Sequence, residues 1–451
     1  MDSQPLMNPQ LQLLHPYPFA KMATLLQGIT PNPDYAPIKL GIGEPQHTPP
    51  QFVLDVIKDN LAKIQNYPTT NGLPELRQAI ADWVQRRFQV KQLNADTQVL
   101  PVMGTREALF SFVQAAFDRE DSKRPYVVMP NPFYQIYEGA TLLAGGQPYF
   151  VNCTADNNFV GDYDSVPSEV WEKTQLVFVC SPNNPTGSVM DMAQWQRLVE
   201  LSDKYGFILA SDECYSELYF EVPPIGLLEV CAKLGRDDFA NCVVFHSLSK
   251  RSNLPGMRSG FVAGDAKLLA PYAQYRTYQG CAMPIHHQLA SITAWQDEAH
   301  VEENRKLYRQ KFDLWMDKLS DKLPLRRPDA GFYFWLPVQD DEQFVKVIYE
   351  QLNIHALAGR YLSRDTPSYQ KNSGNAGKNH VRMALVADIA QSSEAIDRLL
   401  SLDLSNLVWF FIKKVMASYH HFFWLFISIQ LVKIQRATTA SLQDFLAGYW
   451  P

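Results

Sequence analysis

Metal-ligand spacing is missing from this sequence. Six cysteines (Cys153, Cys180, Cys214, Cys231, Cys242 and Cys281) are scattered over 451 residues without a CxxC pair. Several lie within or beside apolar strand-like runs, where a reduced thiol is simply a small hydrophobe. A disulfide framework and a cysteine-built metal centre are therefore excluded, and a reducing cytoplasm is the expected home. An excess of positive charge is missing too. Lys and Arg number 41 against 47 Asp and Glu, and no basic face stands out, which argues against a nucleic-acid partner. The opening residues, MDSQPLMNPQLQLLHPYPF, hold no basic segment followed by an apolar core, so no secretory signal is expected. Internal repeats and low-complexity linkers are lacking. The GxGxxG fingerprint is incomplete in Leu40-Gly41-Ile42-Gly43-Glu44-Pro45 and no helix opens after it, which excludes a dinucleotide site. What remains there is a tight loop whose backbone can approach a ligand.

What is present is a repeating pattern. At this length two packed domains are expected. Residues 1–40 are rich in proline and short apolar runs, and read as an arm laid over another surface. Phe52–Ile64 has helical periodicity, Asn71-Gly72 is a turn, and Pro74 sits where a helix can begin. From about Val99 strand, loop and helix alternate. VLPVM leads to Gly104-Thr105-Arg106 and PYVVMP to Asn131-Pro132-Phe133-Tyr134; LVFVC leads to SPNNPTG with Asn184, FILA to Ser211-Asp212-Glu213-Cys214-Tyr215, and CVVF to the SLSK block. Near-continuous apolar strands separated by helices predict an α/β fold with a mostly parallel central sheet covered on both faces. Ligands bind beyond the carboxyl ends of such strands, and the chemically versatile residues fall there in every repeat. RSGFVAG adds a strand; Pro284–Gln296 and His300–Leu319 read as helices, the second long enough to join two domains. GFYFWLPV, Glu342–Gln351, HVRMALV and Gln391–Leu402 then give a smaller α+β domain.

The densest chemistry lies in Val243–Phe261, VVFHSLSKRSNLPGMRSGF. Lys250 stands at the mouth of a strand with Ser247 and Ser249 before it and Arg258 after it. An amine there can form a Schiff base with an aldehyde while hydroxyls and a guanidinium hold a phosphate, and pyridoxal phosphate carries both groups. Taken alone, the stretch reads equally well as a solvated polar loop.

Four motifs in order decide between these. SPNNPTG, SDECYSELYF, SLSK with its arginine, and HVR resemble the fold-type I pyridoxal-phosphate aminotransferases (class I/II) over roughly residues 10–402. HPYPF, PNPFYQIYEGA, HSLSKRSNLPGMRSGF and YRTYQGCAM are most similar to the succinyldiaminopimelate aminotransferases of bacterial lysine biosynthesis. The resemblance implies an aspartate-aminotransferase-like large domain and a site residue by residue. Lys250 would hold the cofactor and move the substrate's Cα proton. Asp212 would pair with the pyridine nitrogen, or be only a turn or helix cap. Tyr215 and Asn184 would bond the ring's 3′-oxygen, although Asn184-Pro185 is also good turn chemistry. Thr105, Arg106, Ser247, Ser249 and Arg258 would take the phosphate, Arg106 more through its amide than its guanidinium. Tyr134 would stack on the ring, with Phe133 its rival and core packing its alternative. Arg382, in an apolar strand, needs an anion and is the candidate for the substrate α-carboxylate, or else a structural ion pair. Gly43 would bring backbone to the same carboxylate. Tyr67 would reach the phosphate in a neighbouring subunit, which implies a homodimer with shared sites. Substrates would be an amino acid and a 2-oxo acid, by resemblance N-succinyl-diaminopimelate and 2-oxoglutarate. Other amino donors, and β-eliminating lyases or decarboxylases on the same chassis, stay open. A catalytically idle pyridoxal-phosphate fold would have lost the lysine or gained a DNA-binding segment, and neither is visible.

The expected boundaries are 1–45 for an arm and part of the small domain, 46–295 for the large cofactor domain, 296–402 for the small domain, and 403–451 for an atypical aromatic, apolar tail. The motifs give that tail no role. Its longest uncharged run barely reaches the ~18–20 residues that span a bilayer and contains polar residues, which disfavours a membrane anchor. A partner-covering helix, or a reading frame replaced near the end of the last helix, fits its abrupt change of character better.

Overall fold

The computed structural model describes residues 7–408, so the tail expectation lies outside the described residues from position 409. The arm holds a helix, Pro18–Leu25, and a short strand, β1 (Ile38–Lys39). The periodic stretch beginning at Phe52 is a helix over Gln51–Asp59, then a separate 3-10 turn over Leu61–Gln65. The break falls at Asn60, whose amide turns back to the carbonyl of Val56 at 2.9 Å. A side chain bonding locally in this way competes with continued helix.

Seven strands form the central sheet: β2 (Val99–Val102), β3 (Tyr126–Asn131), β4 (Gln147–Asn152), β5 (Thr174–Cys180), β6 (Ile208–Asp212), β7 (Cys242–Ser247) and β8 (Gly260–Gly264). Their spatial order is β2-β8-β7-β6-β5-β3-β4. β8 alone runs opposite to the other six, antiparallel to β2 and β7; the pairings among β3, β4, β5, β6 and β7 are parallel. The apolar strands do not alternate because both faces are covered. In β5, Val177 and Val179 join the core shared with Trp195 and Leu198 of helix Met192–Tyr205. Leu176 and Phe178 join the opposite core, where Phe178 stacks on Tyr137 at 4.5 Å. This is the arrangement that makes buried parallel strands read as continuous hydrophobic runs.

The remaining strands are β9 (Tyr333–Pro337), β10 (Ile354–His355), β11 (Leu357–Ala358), β12 (Asp365–Thr366), β13 (Gly374–Asn375) and β14 (His380–Ala384). An antiparallel sheet of order β11-β14-β9 packs with helices Asp341–Leu352 and Ile389–Leu400 around a separate core that includes Phe334, Leu336, Val381, Met383 and Leu399. The arm enters this smaller unit: β1 pairs parallel with β10. Leu404 and Val408, just past the closing helix, are buried in the same core. The 21-residue helix Ala299–Leu319 runs from the large unit into it. Among the described residues no helix is long and apolar enough to cross a membrane.

Candidate active site

The carboxyl ends of the parallel strands open onto a cavity of about 510 Å³. Twelve of the thirteen expected site residues line it: Gly43, Thr105, Arg106, Tyr134, Asn184, Asp212, Tyr215, Ser247, Ser249, Lys250, Arg258 and Arg382. The sheet explains the convergence. Asp212 ends β6, Ser247 ends β7, Thr105 and Asn184 follow β2 and β5, and Arg258 precedes the reversed β8, whose amino end shares that edge. Tyr67 is the exception. Its side chain is fully exposed, away from the cavity wall.

At one end of the cavity, Thr105 opens the helix Thr105–Ala116, so unpaired N–H groups and the helix dipole favour an anion there. Gly104, at φ +81°, lies so close to the Arg258 guanidinium that a Cβ would collide with it. The positive φ favours glycine before the helix, and any side chain there would have to displace the Arg258 guanidinium. Ser249 N donates to Ser247 Oγ at 3.0 Å, and the two hydroxyls lie 2.9 Å apart. Arg258 gives one N–H to the Pro255 carbonyl at 2.8 Å. The Arg106 guanidinium is turned to Tyr134, with Nε donating to the phenol oxygen at 2.8 Å. Tyr134 lines the cavity, whereas its rival Phe133 is buried in the core.

Asp212 is buried, and burial raises its carboxyl above the ordinary range, partly offset by hydrogen bonds. Tyr137 donates its hydroxyl to Oδ2 at 2.6 Å and Cys214 N reaches Oδ1 at 3.2 Å. Burial likewise lowers the Lys250 ammonium to about 8. Its Nζ donates to the Gly43 carbonyl and lies 5.3 Å from the Phe332 ring centre.

Arg382 is buried at 5% exposure. It donates to Asn184 Oδ1 at 2.9 Å and to the Gly41 carbonyl at 2.8 Å, and its Nε has no partner among the described residues. No carboxylate pairs with it among those residues. The guanidinium lies 4.6 Å from the Tyr333 ring, and Tyr333 in turn shares a 2.9 Å hydroxyl contact with Tyr215. Tyr333 also crowds Gly43, where any Cβ would meet its phenol oxygen.

The donor set fits pyridoxal 5′-phosphate. A softened amine serves an aldehyde, a helix N-terminus with two hydroxyls and an arginine serves a phosphate, a buried carboxylate serves a ring nitrogen, and an arginine lacking an anion serves a carboxylate. Sequence reasoning missed Tyr137, Tyr333, Cys214 and the arm residues Tyr17 and Phe19, the last four of which line the same cavity. Tyr137 leaves a checkable trace. Tyr137→Phe removes a donor from a buried carboxylate, a loss of about 1.5–3 kcal/mol. Its dissociation constant for the cofactor, titrated onto apo-enzyme by fluorescence, is expected to rise at least tenfold with the fold intact.

Comparison with known proteins agrees with this chemistry. The family model for aminotransferase class I and II matches residues 36–399. An LL-diaminopimelate aminotransferase from Aquifex aeolicus is 31% identical over 409 residues, covering 88% of this chain and 98% of that one. The crystal structure of an aminotransferase from Neisseria meningitidis is 50% identical with a TM-score of 0.84, covering 88% of this chain and all of that one. A probable N-succinyldiaminopimelate aminotransferase from Thermus thermophilus is 25% identical with a TM-score of 0.72, covering 81% and 95%. The chain belongs to the aminotransferase class I and II family and is a pyridoxal-phosphate-dependent aminotransferase.

Proposed function

We propose that this enzyme moves an amino group from N-succinyl-LL-2,6-diaminopimelate to 2-oxoglutarate, in the diaminopimelate route to lysine, as a cytoplasmic homodimer. The observation that carries the reading is Arg382, a buried guanidinium with an orphaned N–H and no carboxylate of its own, facing a cavity that also holds Lys250. Both proposed substrates bring an α-carboxylate to it. The chain's likeness to the Thermus and Aquifex proteins, whose names carry diaminopimelate, supports the side chain chosen.

When bound, pyridoxal phosphate supplies an electron sink for the negative charge that forms at the substrate's Cα. The chain's own groups do the rest. Arg382, with Gly41 and Asn184 fixing its plane, orients the carboxylate so that the Cα–H bond faces Lys250. Lys250 Nζ takes that proton and returns it on the second half of the exchange. Asp212 would hold a proton on the ring nitrogen, and Thr105, Ser247, Ser249 and Arg258 would anchor the phosphate. In the homodimer, the exposed Tyr67 is the residue that would reach the partner's phosphate site.

Glu44 supports a second reading. This exposed carboxylate lies on the cavity wall, where it would favour the distal ammonium of free LL-diaminopimelate over a succinyl carboxylate. A donor panel with 2-oxoglutarate as acceptor separates the two: succinyldiaminopimelate, LL-diaminopimelate, glutamate, aspartate, alanine and acetylornithine. The first is expected to have the highest kcat/KM by tenfold or more. Preference for LL-diaminopimelate moves the assignment to the second reading, and preference for any other donor overturns both.

A further inference from the structure

Lys311 is a buried ammonium that the chemistry above does not use. It lies at 1% exposure on the helix Ala299–Leu319 and is not among the residues that line the cavity. Its three N–H groups meet three acceptors: His47 Nε2 at 2.6 Å, and the carbonyls of Leu385 and Val386 at 3.2 Å each. Leu385 lies three residues beyond Arg382, at the end of the strand that carries it, and His47 lies four beyond Gly43 on the glycine loop. The same ring continues the chain of bonds. His47 Nδ1 meets Asn304 Oδ1 at 2.8 Å, and the Asn304 amide donates to the carbonyls of Lys250 and Arg251 at 3.1 and 3.2 Å.

The hydrogen bonds fix the protonation pattern. Lys311 must give a proton to Nε2, so the imidazole is neutral and Nδ1–H donates to Asn304. Burial, and then the Lys311 charge, push His47 down to about 4, which agrees. Burial also lowers Lys311 to about 8, with Asp388 acting in the opposite direction. A buried ammonium is retained at a cost in desolvation, and here, among the described residues, it meets two backbone carbonyls, the His47 ring nitrogen and, 5.0 Å away, the face of Tyr308, with no carboxylate in contact.

We propose that Lys311 is a positioning residue for the substrate carboxylate, clamping the end of the Arg382 strand to the glycine loop and, through His47 and Asn304, to the backbone of Lys250. The inference rests on the reading that Arg382 binds the carboxylate. It concerns the carboxylate arm and not the phosphate pocket, so its loss is expected to separate the two affinities.

The test uses the pyridoxal-phosphate-loaded enzyme with 2-oxoglutarate binding measured by calorimetry, together with steady-state KM and kcat and the cofactor's own dissociation constant. Lys311→Met is expected to raise the 2-oxoglutarate Kd and both substrate KM values about tenfold, with cofactor affinity within twofold of wild type. His47→Ala is expected to do the same, and serves if Lys311→Met fails to fold. His47→Gln, which keeps an acceptor and a donor, is expected to restore most of the affinity. Arg382→Lys is the control. If it weakens 2-oxoglutarate while the Lys311 and His47 variants do not, the clamp alone is overturned. If Arg382→Lys has no effect, the carboxylate reading falls and the clamp with it. Equal loss of cofactor and substrate affinity in Lys311→Met and His47→Ala would reduce Lys311 to a structural role and overturn the proposal.

Discussion

Lys250→Ala is expected to reduce amino transfer by at least about 10⁴-fold, the upper range for losing a positioned proton-transfer group. The loss has two sources. The first is capture of the cofactor. With its amine lowered from 10.5 to about 8 by burial, roughly one Lys250 in ten is neutral at pH 7, against about one in 3,000 for an exposed lysine. The neutral form is the nucleophile, so the cavity raises its supply some 300-fold, and capture by apo-enzyme is expected to quicken with rising pH and level off above about 8. The second is the proton at the substrate's Cα, for which no other amine lines the cavity among the described residues. Borohydride reduction followed by peptide mapping should place the cofactor's mass on Lys250 in wild type and nowhere in the variant. Cofactor fixed to another lysine, or activity within tenfold of wild type, would remove Lys250 from both roles. Because the one hydrogen bond of the Lys250 side chain among the described residues goes to the Gly43 carbonyl, the alanine variant is expected to fold and to bind cofactor reversibly.

The parts of this site that were legible in the sequence share one property: a polar residue directly after a run of apolar residues. Asp212, Ser247, Asn184 and Thr105 could be placed at one edge because β2, β5, β6 and β7 are short, continuous and apolar, and parallel strands present their carboxyl ends together. Missed elements lack that contrast. β4 is an edge strand whose first four residues are partly exposed, so QPYFVN shows no buried run. The helix Ala266–Gln279 carries Pro271 inside it and has little difference between its faces. At the site, Tyr333 sits in the apolar strand β9 and reaches Tyr215 and Gly43 only through tertiary packing. Tyr137 is a helix residue whose hydroxyl has a purpose only because Asp212 arrives from 75 positions away. Arg382 was legible for the converse reason. A guanidinium in V-R-M-A-L contradicts its surroundings, and such contradictions mark functional sites.

Arg382→Ala carries the second large effect, and it is expected to fall on both halves of the exchange. Removing one member of a buried charged pair costs about 2–5 kcal/mol, or roughly 30- to 4,000-fold in kcat/KM. Arg382→Lys keeps the charge but not the planar fork, and its single nitrogen cannot hold the Asn184 and Gly41 oxygens from two separated positions while pairing a carboxylate in bidentate fashion, so only a minor recovery is expected. The division between KM and kcat tells what the residue does. A contact made equally in ground and transition states raises KM alone. One that also aims the Cα–H bond at Lys250 lowers kcat as well. The bonded geometry predicts the mixed outcome, because the guanidinium is locked by Asn184 on one side and by the glycine loop on the other, and Gly43 on that same loop accepts from Lys250. Arg382 and Lys250 are thus registered through one segment of backbone. Steady-state constants for both substrates, with the amino-donor half-reaction followed separately, check this. A KM effect confined to one substrate would mean that the other binds its carboxylate elsewhere.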